Sequence, residues 1–190
     1  MIAIDDIIVG YCQGYFLMAD APGHDLAWYG TRKRALIPLD DRFRMPRSLR
    51  RVLNQARFSV AINQDFAGVV AGCADRDSTW ISDDLKEIYQ SLYEAGWAYS
   101  FETWQDGQLA GGILGLVLGG AFMGESMFHR VDDASKVAMV RLVEHLRSRH
   151  FLLFDAQIIN PHLERFGAFT VPDPIYRQLL SQALQRPCRF

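Results

Sequence analysis

Two carboxylates stand inside apolar segments of this 190-residue chain. Glu125 belongs to Gly124-Glu125-Ser126-Met127-Phe128-His129-Arg130, which ends a glycine-punctuated apolar run from Leu109 to Met123. Asp155 belongs to Phe154-Asp155-Ala156-Gln157, one helix later. A buried carboxylate is costly unless it has partners or a task, so these segments are candidates for the floor of an active site. If side chains alternate, Met123, Glu125 and Met127 share a face, and a carboxylate between methionines can recognise a cation beside an apolar pocket. As a strand-end glutamate, Glu125 would instead point to solvent. Asp155 and Gln157 stand at i and i+2. On a persisting strand both point the same way, the Asp155 carboxylate taking a hydrogen bond from the Gln157 NH₂ and orienting its carbonyl oxygen. An amide oxygen is a poor proton acceptor, so Gln157 would align an attacking amine rather than deprotonate it. The other reading of the pair is a cap for the helix entered at Asn160.

The elements that must position these groups are read from periodicity. Residues 2–13 suit a short amphipathic helix, 28–29 and 35–39 short strands. Pro46 suits a first helical position, with Arg47, Arg50, Arg51 and Asn54 on one face. Residues 58–62 alternate as a strand, and 65–73 read as a short helix. Ser82 is placed to cap a helix carrying Leu85, Ile88, Tyr89 and Leu92 on one face, with Gly96 as its stop. An aromatic strand, 97–104, turns at Asp106-Gly107 into a return strand, 109–118, which turns at Gly119-Gly120 into a third, 121–128. A helix over 134–149, capped by Asp132 or Asp133, buries Met139, Leu142, Val143 and Leu146. A short buried strand at 151–154 follows, then helices beginning at Asn160-Pro161 and Asp173-Pro174. The predicted architecture is α+β: an N-acetyltransferase-like mixed sheet flanked by helices, with a small N-terminal lobe at 1–56 and the catalytic domain at 57–190. Order of elements alone is weak evidence for function.

Composition narrows the chemistry. Hydrophobic residues make up 49% and charged residues 22%, an ordinary globular balance. No apolar run is long and clean enough for a membrane helix, and Met1-Ile2-Ala3-Ile4-Asp5-Asp6 does not read as a signal peptide. Cys12, Cys73 and Cys188 have no metal-like spacing and read as reduced thiols of a cytoplasmic protein. The histidines, His24, His129, His145, His150 and His162, form no metal motif, and His145 and His150 read as surface residues. No phosphate loop for nucleoside triphosphates, no Gly-x-Ser-x-Gly elbow and no Arg/Gln-x-x-Gly-x-Gly/Ala coenzyme A loop is present. The net charge of −2 hides an asymmetry: Arg32 to Arg57 holds nine Lys/Arg against two Asp, locally +7. Seventeen of the 20 basic residues are Arg, the better bidentate partner for phosphate. Acyl transfer without a coenzyme A loop, next to a polyanion-binding patch, suggests an acyl donor carried on nucleic acid.

Thr79-Trp80-Ile81, Gly111-Gly112, Phe122-x-Gly-Glu-Ser-Met-Phe128, Asp133-Ala-Ser-Lys136, Asp155-x-Gln157, His162-Leu163 and Gly167-Ala168 together resemble the leucyl/phenylalanyl-tRNA–protein transferase family, from about Gly10 to Leu184. The resemblance implies transfer of Leu, Phe or Met from aminoacyl-tRNA to the α-amine of proteins beginning with Arg or Lys, marking them for N-degron proteolysis. It implies an acyltransferase fold, a monomer, no cofactor and no metal. It puts the aminoacyl pocket on Ile113, Phe122, Glu125, Met127, Met139, Leu142 and Phe154, the terminal adenosine at Trp80, and a further polar residue at Asn160. Asp155 and Gln157 match the family's catalytic pair, with proton transfer assigned either to a Gln–Asp relay or to the tRNA's terminal ribose. The tRNA body falls to Arg44, Arg47, Arg50 and Arg51. The departures are N-terminal: the chain starts almost at its first helix, and the family's Trp-Trp-Ser-Pro is reduced to Trp28-Tyr29-Gly30-Thr31. Transfer to acidic N-termini, and tRNA binding without transfer, are the competing expectations.

Overall fold

The computed structural model describes residues 2–19, 25–76 and 79–190, and His24 lies outside them. In chain order the elements are α1 (Ile4–Cys12), β1 (Phe16–Ala19), β2 (Leu26–Tyr29), β3 (Lys33–Leu36), α2 (Arg47–Asn54), β4 (Ser59–Ile62), α3 (Phe66–Ala74) and α4 (Asp83–Glu94). Then come β5 (Ala98–Gln105), β6 (Gln108–Leu118), β7 (Ala121–His129), α5 (Ala134–Ser148), β8 (Leu153–Gln157), α6 (Pro161–Glu164), β9 (Phe169–Pro172) and α7 (Asp173–Leu184). Seven strands form one mixed sheet in the order β4-β5-β6-β7-β8-β3-β9, and β1 and β2 pair as a separate antiparallel ribbon. β7 and β8 run parallel, while the other pairs of the large sheet are antiparallel.

The meander is set by its turns. Asp106 and Gly107 both take positive φ, 51° and 76°, the backbone that a two-residue hairpin needs to match strand twist. Ser82 caps α4 by accepting the N–H of Leu85. Asp133 occupies the N-cap position of α5 at φ 70°, but its side chain caps nothing. The carboxylate is drawn instead to Lys136 at 2.7 Å and Arg57 at 3.7 Å. Pro46 stands one residue before α2 rather than in its first turn. Strand β8 begins two residues later than the apolar run suggests and ends three residues later, so that it includes Asp155 and Gln157. Strands β1 and β9 are only four residues long; β1 is defined by its pairing with the nearby β2, and β9 by its pairing with the distant β3.

Helices cover both faces. Buried residues of α1, α3, α4 and α7 form one apolar core with Leu114, Leu116, Met123 and Phe128 of the sheet. On the opposite face α2, α5 and α6 pack over Phe101, Ile113, Val117, Phe122 and Phe154. With nine buried residues, α5 is the main cover of that face, each large apolar side chain contributing about 1.5–3 kcal/mol. His145 is half-buried there between the rings of Phe101 and Phe190, not on the open surface. Strand β3 precedes residue 57 yet lies inside the large sheet between β8 and β9. The N-terminal segment is thus wired directly to the strand that carries Asp155 and Gln157. No helix among the described residues is long and apolar enough to cross a membrane.

Candidate active site

Parallel strands β7 and β8 pair only over Ala121↔Leu153, Phe122↔Phe154 and Met123↔Asp155. Beyond that point they separate, and each does so through a local irregularity. On β7 the register against β6 steps from Gly115↔Gly124 to Leu114↔Ser126, leaving Glu125 as the extra residue of a β-bulge. On β8 the backbone turns at Gln157, which takes φ 59°, and the N–H of Ile158 bonds the carbonyl of Ala156 at 2.7 Å. That is a γ-turn with positive φ at its centre, a strained conformation for a side-chain-bearing residue. At Gly124 there is no room for a side chain: a Cβ there would lie 2.9 Å from the Phe154 ring. The separating strands leave a cavity of about 330 Å³ at their carboxyl ends, where ligands of open α/β sheets bind. It falls at the small end of the ~300–1,000 Å³ range of small-molecule sites.

The bulge leaves Glu125 on the Met123 side, toward Tyr11 and Tyr89, and turns Met127 away. Alternation from Met123 would have put Met123, Glu125 and Met127 on one face. The extra residue shifts the phase, so Met123 belongs to the α1/α4 core and Met127 packs against the α5 core. Glu125 is 7% exposed. Its Oε2 accepts the hydroxyl of Tyr89 at 2.9 Å and its Oε1 accepts the amide Nε2 of Gln157 at 2.9 Å. The Tyr11 hydroxyl is a further partner. Burial pushes the carboxyl up to about 7, against the pull of the hydrogen bonds from Tyr89, Tyr11 and Gln157 that favour the charged form. Glu125 therefore changes charge near neutrality.

The Asp155–Gln157 contact differs from the one expected on sequence. Asp155 accepts the backbone N–H of Gln157 at 2.8 Å, not its side-chain amide. The amide NH₂ goes to Glu125, because the γ-turn swings the side chain toward β7. Glu125 is thus the group that fixes the amide, leaving the carbonyl oxygen of Gln157 as the acceptor directed at the cavity that Gln157 lines. Asp155 is fully buried and held by Arg34 and Tyr176.

Of the other expected site residues, Trp80, Ile113, Met127, Met139, Phe154 and Asn160 line the cavity together with Glu125 and Gln157. Asn160 also caps α6, its Oδ1 accepting the N–H groups of His162 and Leu163. Phe122 and Leu142 do not reach the wall. Both are fully buried behind it, Phe122 packed edge-on against Phe154 and face-on against Phe190. Gly124, Ser126 and Leu163, from motifs quoted above, and Met18, Arg76, Ala156 and Ile158, which no sequence feature marks, complete the lining. The basic segment also divides. Arg34 is buried; Arg42 pairs with Asp40 and Arg57 with Asp133. Arg44, Arg47, Arg50 and Arg51 are exposed and make no ion pair among the described residues. Leu49, in the middle of α2, is buried and anchors the helix on the body. No group of His, Cys, Asp and Glu among the described residues is arranged to hold a metal ion.

Residues 36–181 match the family described as leucyl/phenylalanyl-tRNA protein transferase, and residues 1–32 match that family's N-terminal domain. The chain belongs to the leucyl/phenylalanyl-tRNA protein transferase family. A leucyl/phenylalanyl-tRNA–protein transferase of a Nostoc species is 66% identical over 184 residues, 97% of this chain and 96% of that protein. Another, from Thermosynechococcus vestitus, is 68% identical over 180 residues, 95% of this chain and 91% of its own length. Among solved structures, L-PGS from Bacillus licheniformis aligns at a TM-score of 0.48 with 12% identity, covering 96% of this chain and 70% of that one. The two matches to leucyl/phenylalanyl-tRNA protein transferase regions meet at β3, the strand that carries Arg34.

Proposed function

We propose that this protein transfers a large apolar aminoacyl group, Leu, Phe or Met, from aminoacyl-tRNA to the N-terminal Arg or Lys of an acceptor protein. The observation that carries the reading is the apolar cavity with a buried Glu125–Gln157 pair at its edge, in a chain 66–68% identical to named transferases. Ile113, Met127, Met139, Phe154 and Leu163 would receive the aminoacyl side chain, and Trp80 at the rim would meet the terminal adenosine. A wall without polar hooks discriminates by size, about 1–3 kcal/mol per methylene, which suits several large apolar donors. The aminoacyl ester is already activated, so neither ATP nor a cofactor is called for. An α-amine has a pKa of about 8, so about a tenth is neutral at pH 7 and can attack unaided. Alignment of that amine by the Gln157 carbonyl, with the Glu125 charge behind it, supplies proximity and electrostatic support for the developing ammonium. The sheet with its separated parallel strands suits an N-acetyltransferase-like fold. Residues 1–56, which give β3 to the large sheet, would carry the tRNA-facing arginines of a monomeric cytoplasmic enzyme.

The test is purified protein with Phe-tRNA and an Arg-starting peptide. Phenylalanylated peptide is expected; product only with Asp- or Glu-starting peptides would change the acceptor, and tRNA binding with no product would make the chain a binder.

Two further outcomes follow. Arg47→Ala with Arg50→Ala is expected to weaken tRNA binding and flatten its slope against log salt by about 1.5, roughly 0.7–0.9 for each lost phosphate contact. Titration from low to high salt checks this, and an unchanged slope moves the tRNA body to another surface. The second concerns pH. Transfer is expected to rise with pH in two limbs, one near 7 as Glu125 ionises and one near the pKa of about 8 of the acceptor amine. Glu125→Gln should lower the rate and remove the first limb; two surviving limbs would assign it elsewhere. The stability sign is opposite. The folded carboxyl holds its proton more tightly than the ordinary 4.5, so its contribution falls as pH rises from about 4.5 to about 7. Glu125→Gln should flatten that part of the stability profile.

A further inference from the structure

Arg34 sits apart from the rest of the basic segment. It is 2% exposed, and its guanidinium fills a slot between the rings of Phe16 and Tyr176, 4.8 and 4.6 Å from their centroids. Nη1 donates to the carbonyl of Gly14 at 3.2 Å. Nε lies 2.9 and 3.0 Å from the two oxygens of Asp155, and Nη2 donates to Oδ2 at 2.7 Å. The Tyr176 hydroxyl donates to the same Oδ2 at 2.7 Å, and the Gln157 N–H to Oδ1 at 2.8 Å. The Asp155 carboxylate is saturated with donors, paired with a buried guanidinium, and bonded to the Gln157 backbone rather than to its amide. Nothing in that arrangement moves a proton to or from the Gln157 amide.

It does hold the turn. A residue with a side chain costs about 1–2 kcal/mol in the left-handed region, so the φ of 59° at Gln157 needs something to hold it. The bond from the Gln157 N–H to Asp155 is available in this conformation, and the Asp155 oxygen is fixed by the Arg34 fork. We propose that Arg34 is a positioning residue for transfer: acting through Asp155, it holds the γ-turn that aims the Gln157 amide between Glu125 and the cavity. Because Nη1 also grips Gly14, between α1 and β1, the guanidinium ties the turn to the N-terminal segment that supplies Tyr11 and Met18 to the site. Asp155 on this reading orients backbone and is not a proton relay.

The inference rests on the aminoacyl transfer proposed above, and the experiment separates the two. Single-turnover transfer of Phe from Phe-tRNA to an Arg-starting peptide, and the Kd for Phe-tRNA, are measured for the unaltered chain, Arg34→Lys and Tyr176→Phe. Lysine keeps the charge and loses the fork. Arg34→Lys is expected to slow transfer about 10–100-fold with Kd changed less than about threefold, the signature of misaligned rather than missing groups. Tyr176→Phe removes one donor to Asp155 without opening a cavity. It should slow transfer several-fold at unchanged Kd, and it decides the matter if Arg34→Lys does not fold. Transfer at the unaltered rate in the folded variants, or rate and Kd worsening in parallel, would overturn the positioning role. No transfer by the unaltered chain would bring down the functional reading, and this inference with it.

Discussion

Gln157→Ala is expected to slow aminoacyl transfer about 100-fold while leaving the Kd for Phe-tRNA nearly unchanged, the size of loss that follows when one aligning contact is removed from a reacting pair. The reasoning is geometric. Gln157 lines the cavity, and one of its amide N–H groups is committed to Glu125, so the group it can offer an attacking amine as an acceptor is its carbonyl oxygen. That oxygen can accept from an attacking amine and does little for a tRNA held elsewhere by arginines. Equal losses in rate and affinity would mean that Gln157 instead grips the donor. Gln157→Gly sharpens the test because φ is 59° at this position. Glycine adopts that backbone without strain, so the Gly variant should be more stable than the Ala variant by about 1 kcal/mol, read from urea midpoints. Both should transfer equally poorly. If glycine recovers activity that alanine lacks, the turn rather than the amide is what the reaction needs.

Glu125 shows where sequence reasoning stops. Its segment was recognisable as a strand with a carboxylate in apolar surroundings. Its own direction follows parity, toward Tyr11 and Tyr89 of the core that also holds Met123, but that of Met127 does not, because one bulged residue inverts parity for everything after it. A bulge leaves no composition signal in a stretch such as Phe122-Met123-Gly124-Glu125. Gln157 failed in a related way: strand alternation predicted a contact with the Asp155 carboxylate, and a turn at the strand end redirected the side chain to Glu125. The meander, its Asp106-Gly107 turn and the Ser82 cap were readable because each is encoded within a few residues. Strand β3's place between β8 and β9 was not, since its partners lie more than 100 residues away.

Arg34 is the instructive omission. It was counted with eight other cations in a basic cluster, and sequence clustering says nothing about which member turns inward. A usable signal did exist. Arg34 opens the apolar run Ala35-Leu36-Ile37-Pro38-Leu39, and a buried cation demands a buried anion. The chain had already advertised Asp155 as an unexplained carboxylate in a second apolar strand. Matching the two pairs β3 with β8.

That pairing makes Asp155→Ala a strongly destabilising change. Arg34 is 2% exposed and Asp155 fully buried, so removal of the carboxylate strands a guanidinium between two aromatic rings. Breaking one side of such a pair costs about 3–5 kcal/mol. The Tyr176 hydroxyl and the Gln157 N–H lose their acceptor as well. Urea unfolding should show the loss directly. Removing the stranded charge should return part of it: Arg34→Met combined with Asp155→Ala is expected to be more stable than Asp155→Ala alone, because an apolar side chain suits the slot between Phe16 and Tyr176. The double variant should nevertheless transfer as poorly as Asp155→Ala, since neither chain can hold the turn at Gln157. Additive destabilisation in the double variant would mean that water already solvates Arg34 when Asp155 is lost. Recovered transfer would mean that the ion pair serves the fold and nothing more. Stability regained without activity is the outcome that assigns the pair to the geometry of the site.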